Sequence, residues 1–247
     1  MEAVADDNGN FRLSFTNGTK YWEEQFAIVV FALPFTLLRK VALKVDLSTE
    51  KRAIINTLGY GKNTKLMGAF SERVWNTKHR ASGSVIGDPI QALWDSSRSQ
   101  RGDAGLLTHF IGGTRGQNGG AGTPEEQFNK SLLEIDKIFP SAKNCYISGS
   151  AVRMHWPTHK FTQGSYACYL PGQTKFSGRE GEREGNLHFC GEHCSSLAQG
   201  YMEGACETGE KVAKTILADL GIQSAPVRPV IPEVDSAYEK AAHLETA

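Results

Sequence analysis

The feature that most constrains this chain is the stretch from Asn186 to Leu217. Its pattern predicts a short apolar strand, a tight turn at Gly191-Glu192, a polar loop and a helix that begins near Gly200. Glycine lets a ligand come close to the backbone, and the first turn of a helix offers unpaired N–H groups and a positive dipole end. The stretch therefore predicts either a site for a negatively polarised ligand or an ordinary strand–loop–helix corner.

Composition and charge exclude several classes of function. The chain has 247 residues, a formal net charge of zero and five cysteines. A balanced charge gives no reason to expect nucleic acid or a membrane surface as a partner. The longest apolar run, residues 26–38, is interrupted by Pro34 and predicts a buried strand and its turn rather than a membrane span. The cysteines lack zinc spacing, so we expect reduced thiols, no metal and a cytoplasmic location.

The predicted strands follow from apolar runs and alternation. A tight-turn signal in the first twenty residues indicates a hairpin, and residues 76–104 are polar and turn-rich. One strand contains a lysine, Lys65, in a largely apolar setting. The strands are expected at residues 26–33, which suit a strand buried on both faces, and at 64–70 and 105–111.

Two helices are predicted from their start signals. Ser48 can cap a helix that ends before Gly59. Thr123 and Glu126 form a potential capping box, with Pro124 at the first helical position. A last helix is expected over residues 200–220.

A resemblance to a known family is carried mainly by the C-terminal string. Cys190-Gly-Glu-His-Cys and the later Gln199-Gly-Tyr-Met-Glu-Gly-Ala-Cys-Glu-Thr-Gly-Glu resemble the signature of flavin-dependent amine oxidases. That family includes monoamine, polyamine and L-amino-acid oxidases. Two other segments are similar in order and approximate spacing, so the resemblance covers nearly all of residues 20–220. These segments are residues 27–38 with the later Lys65 and Trp75, and the loop from Trp156 to Gly172.

The resemblance implies an FAD-binding fold of the amine-oxidase type, α/β with the α+β elements of a substrate domain. Family members open with a Rossmann βαβ unit whose Gly-x-Gly-x-x-Gly holds the flavin pyrophosphate. This chain has no such motif, and residues 112–122, although glycine-rich, lack the ending of a phosphate loop and are interpreted as a surface loop. The chain thus resembles the C-terminal part of an amine oxidase: a fragment, a truncated gene product or one chain of a split enzyme.

Four segments follow from this interpretation. We expect residues 1–40 to hold strands that join the flavin and substrate domains. Residues 41–160 would form the substrate-binding domain, with a mixed sheet and helices. Residues 161–221 would complete the FAD-binding domain, and residues 222–247 would form a proline-containing tail.

The resemblance assigns cofactor-binding roles to two places. The turn at Gly191 and Glu192 would approach the flavin phosphates and the sugar-like chain. Glu192 can accept hydrogen bonds from the hydroxyls of that chain. The start of the last helix would direct N–H groups at the pyrimidine edge of the flavin, where reduction places negative charge. The alternative is a plain capped helix. The candidates at the helix start are Gly200, Tyr201, Met202 and Glu203.

The remaining candidates concern catalysis and substrate. Lys65 matches the family lysine that a water links to the reactive nitrogen of the flavin; the alternative is a lysine that extends from a strand edge to solvent. Tyr201 matches an aromatic residue that walls the substrate amine, with Trp156, Tyr166 and Tyr169 as companions. For these three, ordinary core packing is the alternative.

The implied activity is oxidation of an amine or L-amino acid to an imine, with O2 reduced to hydrogen peroxide and water hydrolysing the imine. The expected partners are a small-molecule amine, O2 and an N-terminal FAD-binding chain or a second copy of this chain. Two alternatives stay open: a non-catalytic binding module, and a flavin-dependent desaturase or demethylase on the same scaffold.

Overall fold

A computed structural model describes residues 1, 3–7, 9–81 and 84–223 of the chain. The strands are β1 Ala3–Asp7, β2 Asn10–Thr16, β3 Tyr21–Phe26, β4 Val29–Phe31, β5 Ala42–Lys44, β6 Thr64–Phe70, β7 Ser84–Gly87, β8 Gln91–Asp95, β9 Gly105–Ile111, β10 Val152–His155 and β11 Leu187–Phe189. The helices are α1 Phe35–Leu38, α2 Thr49–Thr57, α3 Val74–Thr77, α4 Gly113–Asn118, α5 Pro124–Ile138, α6 Ala142–Cys145 and α7 Met202–Asp219.

The N-terminal strands form a four-stranded sheet in the order β3-β2-β1-β5. β1, β2 and β3 are antiparallel neighbours, and β5 lies parallel to β1. The predicted hairpin is therefore present as β1 and β2. Val4 and Leu13 are buried and join the same core as the aromatic residues of β4 and β11, so this sheet supports the strands that carry the candidate site.

A two-stranded parallel sheet pairs β4 with β11, in the register Val29↔Leu187 to Phe31↔Phe189. The predicted strand at residues 26–33 is shorter than expected and is not buried on both faces. Val29 and Phe31 are buried, but Val30 is 43% exposed. The pleat points Val30 to the opposite face, which the described residues leave uncovered.

The third sheet has five antiparallel strands in the order β10-β6-β9-β8-β7. Burial alternates along β6: Leu66 and Phe70 pack in a core with Phe128 of α5, whereas Lys65 on the other face is half-buried. Gly68 is required at the helix contact, because a Cβ there would lie 2.3 Å from the Phe128 ring. The sheet thus has one closed face and one open face.

Two sequence-based interpretations fail in this region. Residues 76–104, described by sequence as polar and turn-rich, contain the strands β7 and β8; β8 pairs with β9, and β7 pairs with β8 at the edge of the sheet. Residues 112–122 are not simply a surface loop, because α4 begins at Gly113. Gly116 is buried there, and a Cβ on it would lie 2.0 Å from the Lys62 carbonyl oxygen. Close backbone packing explains the glycine.

The predicted helix starts are confirmed. The Ser48 side chain accepts a hydrogen bond from the Lys51 N–H at the start of α2. At α5 the Thr123 hydroxyl accepts from the Glu126 N–H at 3.1 Å, and the Glu126 carboxylate accepts from the Thr123 N–H at 2.8 Å. This capping box satisfies two N–H groups that the helix itself cannot.

The chain divides into two compact units, residues 1–209 and 210–247. The second unit is described only to residue 223, so the predicted tail falls almost wholly outside the described residues. The five cysteines are free thiols. In the described ranges no helix is long and apolar enough to cross a membrane, and no cluster of metal-binding side chains occurs there. The four predicted segments stay a prediction.

The capping box gives a stability prediction. Thr123→Ala should lower the free energy of unfolding by about 1 kcal/mol, because the Glu126 N–H loses its acceptor. Urea unfolding followed by circular dichroism measures the change. Asn129→Ala, at an exposed position within α5, is the control and should stay within about 0.5 kcal/mol. Equal values for the two variants would contradict the role of the cap.

Candidate functional site

The turn at Gly191 and Glu192 follows β11 directly. Gly191 has φ +132°, and a Cβ on it would lie 2.5 Å from Cε1 of His193. Both the backbone conformation and the close ring therefore require glycine. The Gly191 N–H donates to the Thr208 hydroxyl of α7 at 3.0 Å, which ties the turn to the first part of that helix.

A cleft of about 240 Å³ opens at this turn. It lies where β4 and β11 end, because parallel strands place their carboxyl ends at the same edge of a sheet. Crevices at that edge are the usual ligand sites of parallel sheets. The lining includes Ala32, Pro34, Gly164, Ser165, Gly191 and Glu192.

Glu192 uses both carboxylate oxygens on backbone N–H groups of other loops. Oε1 accepts from the Ala167 N–H at 2.9 Å, and Oε2 accepts from the Gly200 N–H at 2.7 Å. Burial raises the pKa of Glu192, and the two hydrogen bonds act in the opposite direction. From the sequence, Glu192 is predicted to accept hydrogen bonds from flavin hydroxyls. The structure adds two protein donors that no sequence pattern indicated.

Three of the other predicted site residues, Tyr166, Tyr201 and Met202, lie near Gly200. The Tyr166 ring lies on the side of Gly200 where a side chain would project: a Cβ there would lie 3.6 Å from Tyr166 Cδ2. Tyr166 is 37% exposed, and Tyr201 and Met202 are 72% and 89% exposed. Two tyrosines thus lie near Gly200: Tyr166 faces it across the fold, and Tyr201 follows it in the chain. Much of their surface is open to solvent.

Tyr169 and Trp156 occupy different surroundings. The Tyr169 hydroxyl donates to Glu180 at 2.5 Å and accepts from the Gln199 side chain at 3.1 Å, and its ring packs against the buried core of β4 and β11. The Trp156 carbonyl oxygen accepts a hydrogen bond from the Gly164 N–H at 3.1 Å. This bond closes the loop that leads to Tyr166. The substrate roles of both residues stay predictions.

Lys65 projects from the open face of the five-stranded sheet. Its Nζ lies 5.8 Å from the Trp94 ring centroid and 5.9 Å from that of Phe110, distances at which a cation is attracted to an aromatic face. The two rings are 5.8 Å apart. No sequence pattern singled out either aromatic residue. Phe110 lies opposite Lys65 in the β6–β9 register, and that pairing was the signal that could have found it.

Beneath the turn lies a lysine that is 2% exposed, Lys51 of α2. Its Nζ donates to the carbonyl oxygens of Arg179 and Glu180 at 3.0 and 2.8 Å and lies 4.5 Å from the Phe189 ring centroid. Burial lowers the pKa of Lys51. Its position holds the connector at residues 179–180 against β11, just before the Gly191 turn.

His193 is also 2% exposed, with its ring 4.4 Å from that of Phe35. Burial, and secondarily the charge of Lys51, lowers the pKa of His193 to about 4. Its Nε2 is buried and has no hydrogen-bond partner among the described residues. The imidazole is therefore neutral at neutral pH.

The fold agrees with comparisons to known proteins. Residues 1–217 match the family described as flavin-containing amine oxidoreductases. This chain belongs to that family. The recognition from the C-terminal string is thereby confirmed, and a flavin is the cofactor that the family description names.

Two relatives illustrate the match. The flavin-containing amine oxidase A of Equus caballus is 25% identical over 221 residues, which cover 87% of this chain and 41% of the relative. YobN of Bacillus subtilis (strain 168), whose name places it among L-amino-acid oxidases, is 28% identical over 193 residues, covering 75% and 40%. The chain thus spans about two fifths of the length of these relatives.

Solved structures confirm the fold class. A putrescine oxidase with bound putrescine superposes with a TM-score of 0.75 at 18% identity, over 88% of this chain and 48% of that one. Cyclohexylamine oxidase from Brevibacterium oxydans IH-35A gives a TM-score of 0.75 at 20% identity, over 89% and 48%. At such identities the likeness concerns the fold.

The buried His193 predicts a pH-dependent stability. Its pKa is about 4 in the folded chain and 6.5 ordinarily, so the unfolded state binds more protons between these values. The contribution of His193 to the free energy of unfolding is therefore fully present above pH 6.5. It falls as the pH is lowered, by about 2 kcal/mol at pH 5. Urea unfolding at pH 7.5 and 5.0 measures the difference.

His193→Asn should lack this part of the pH dependence, whereas His79→Asn, at an exposed position, should keep it. Because each variant keeps the remaining histidines, the comparison isolates His193. Equal pH dependence in His193→Asn and wild type would show that folding does not lower the pKa of this imidazole.

Proposed function

We propose that this chain is part of an FAD-dependent oxidase that converts an amine or an L-amino acid to an imine, with O2 reduced to hydrogen peroxide. The observation that carries the proposal is the cleft at the ends of β4 and β11, where the Gly191-Glu192 turn and the Gly200 loop meet. Membership of the family supports the reaction class. The identity of the amine is a separate question.

The residues at the cleft fit a flavin. Gly191 has a positive φ, and a glycine backbone without a side chain lets a ligand come close. The N–H groups of Met202 and Glu203 at the start of α7 can stabilise negative charge on the pyrimidine edge. The sequence has no Gly-x-Gly-x-x-Gly, so we assign the pyrophosphate to a nucleotide-binding segment, either in a longer chain or in a partner chain.

The residues of this chain have distinct roles in the proposed reaction. Tyr166 and Tyr201 orient the neutral amine and exclude water from the carbon that is oxidised. When bound, FAD would supply a two-electron acceptor for the hydride of that carbon, with O2 as the final oxidant and hydrogen peroxide as its product. Lys65, whose Nζ lies 5.8 Å from the Trp94 ring centroid and 5.9 Å from that of Phe110, positions a water molecule near the reacting atoms. Water then hydrolyses the imine to an aldehyde or keto acid and ammonia.

A spectroscopic experiment tests the proposal. The purified chain is mixed with FAD, with and without an N-terminal segment that carries a Gly-x-Gly-x-x-Gly unit, and the visible spectrum of the protein fraction is recorded. We expect near-stoichiometric flavin with the segment present, and peroxide release when amines are added. No bound flavin in either mixture would favour the binding module. Bound flavin without amine-dependent peroxide would favour a desaturase or demethylase.

Expected partners beyond the amine and O2 are the nucleotide-binding segment or a second copy of this chain. A cytoplasmic location stays a prediction from the sequence.

Lys65→Met gives a prediction for the loaded enzyme. Flavin should remain bound, while reoxidation by O2 or turnover should slow by roughly tenfold to a hundredfold, because the cation that positions the water is lost. Stopped-flow absorbance of the flavin measures reoxidation. Lys62→Met is the control, since Lys62 is exposed and its Nζ bonds Gln117. Unchanged kinetics in Lys65→Met would remove Lys65 from the site.

A further inference from the structure

The Glu192 carboxylate joins two loops that are separate in sequence. Its two oxygens accept from Ala167 and Gly200 at 2.9 and 2.7 Å. Ala167 follows Tyr166 directly, and Gly200 precedes Tyr201 directly. One side chain therefore links the backbone beside each of the two exposed tyrosines.

Each loop also has anchors of its own, and these are different. The Tyr166 loop is held by residues 59–61, with the Gly61 N–H donating to the Tyr166 carbonyl at 2.8 Å. The Gly200 loop is stabilised by the Ser195 hydroxyl, which accepts from the Ala198 N–H at 2.9 Å. These bonds shape each loop but do not set the distance between them. Glu192 connects the two loops, alongside the contact of Gln199 with Tyr169.

We propose that Glu192 is a positioning residue for amine recognition, because its carboxylate fixes the spacing between Tyr166 and Tyr201. The inference rests on the proposed function for the roles of these two tyrosines. Hydrogen bonds from N–H groups to a carboxylate are shorter and stronger than neutral ones. The Tyr166 ring also faces Gly200, where an added Cβ would come to 3.6 Å from Tyr166 Cδ2, so a shift of either loop changes the gap into which an amine must fit.

The chemistry of the carboxylate makes the proposal testable with graded variants. An ionised glutamate accepts both N–H groups. In Glu192→Gln, one end of the amide accepts, while its NH2 group faces the other N–H and repels it. In Glu192→Ala both acceptors are absent. Glu207→Gln is the matched control, since Glu207 accepts from the Ser195 hydroxyl at 2.5 Å and touches neither amide.

The first measurement needs no flavin. Amide hydrogen exchange of the chain, read residue by residue by NMR, should show that Ala167 and Gly200 exchange roughly tenfold to a hundredfold faster in Glu192→Ala. In Glu192→Gln only one of these two amides should exchange faster. In Glu207→Gln both should exchange as in wild type. The Gly61 and Cys168 amides, which donate to backbone carbonyls, should stay protected throughout and show that the variants are folded.

The second measurement uses the FAD-loaded enzyme. Glu192→Gln should retain flavin and raise the KM for the amine by about tenfold, with kcat within about threefold, because the misplaced tyrosines weaken binding of the amine. Unchanged protection of both amides in Glu192→Ala would overturn the proposal. So would an unchanged KM in both Glu192 variants, or a loss of flavin with intact amide protection. If wild type oxidises no amine, the proposed function fails, and the exchange result still decides whether Glu192 holds the loops.

Discussion

The parallel pairing of β4 with β11 is the interaction on which the rest of the site depends. The Val29 N–H donates to the Asn186 carbonyl and the Cys190 N–H to the Phe31 carbonyl, each at 3.0 Å. Because the strands run parallel, both leave the sheet at the same edge. Pro34 and Gly191 then redirect the chain, and the cleft lies between the two exits. Without this pairing, the residues that follow β4 would not line the cleft opposite the Gly191-Glu192 turn.

The support beneath the cleft is partly polar. Burying a lysine costs free energy unless its N–H groups find acceptors, and Lys51 finds two carbonyls and the face of Phe189. Phe189 in turn packs on Phe35, which contacts His193. Above this layer Glu192 links the two loops that carry the exposed tyrosines. The turn is therefore held from below by α2 and the connector, and it holds the loops on either side.

Much of the local structure was predictable from the sequence, because it depends on a few neighbouring residues. The capping box at Thr123, the helix start at Ser48 and the turn at Gly191 each follow from side-chain chemistry within one turn of chain. The family was recognisable for the same reason: its C-terminal string is contiguous. The fold class followed from that string, and the family match over residues 1–217 confirmed it.

Contacts between distant segments were decided only by the tertiary structure. β8 is a strand because it pairs with β9, and this register brings Trp94 beside Lys65. The partners of Glu192 and the burial of Lys51 likewise depend on loops that are remote in sequence. Side-chain pattern determines which residues can cap, turn or line a strand. Which of them meet is set by strand register and packing, which no local pattern encodes.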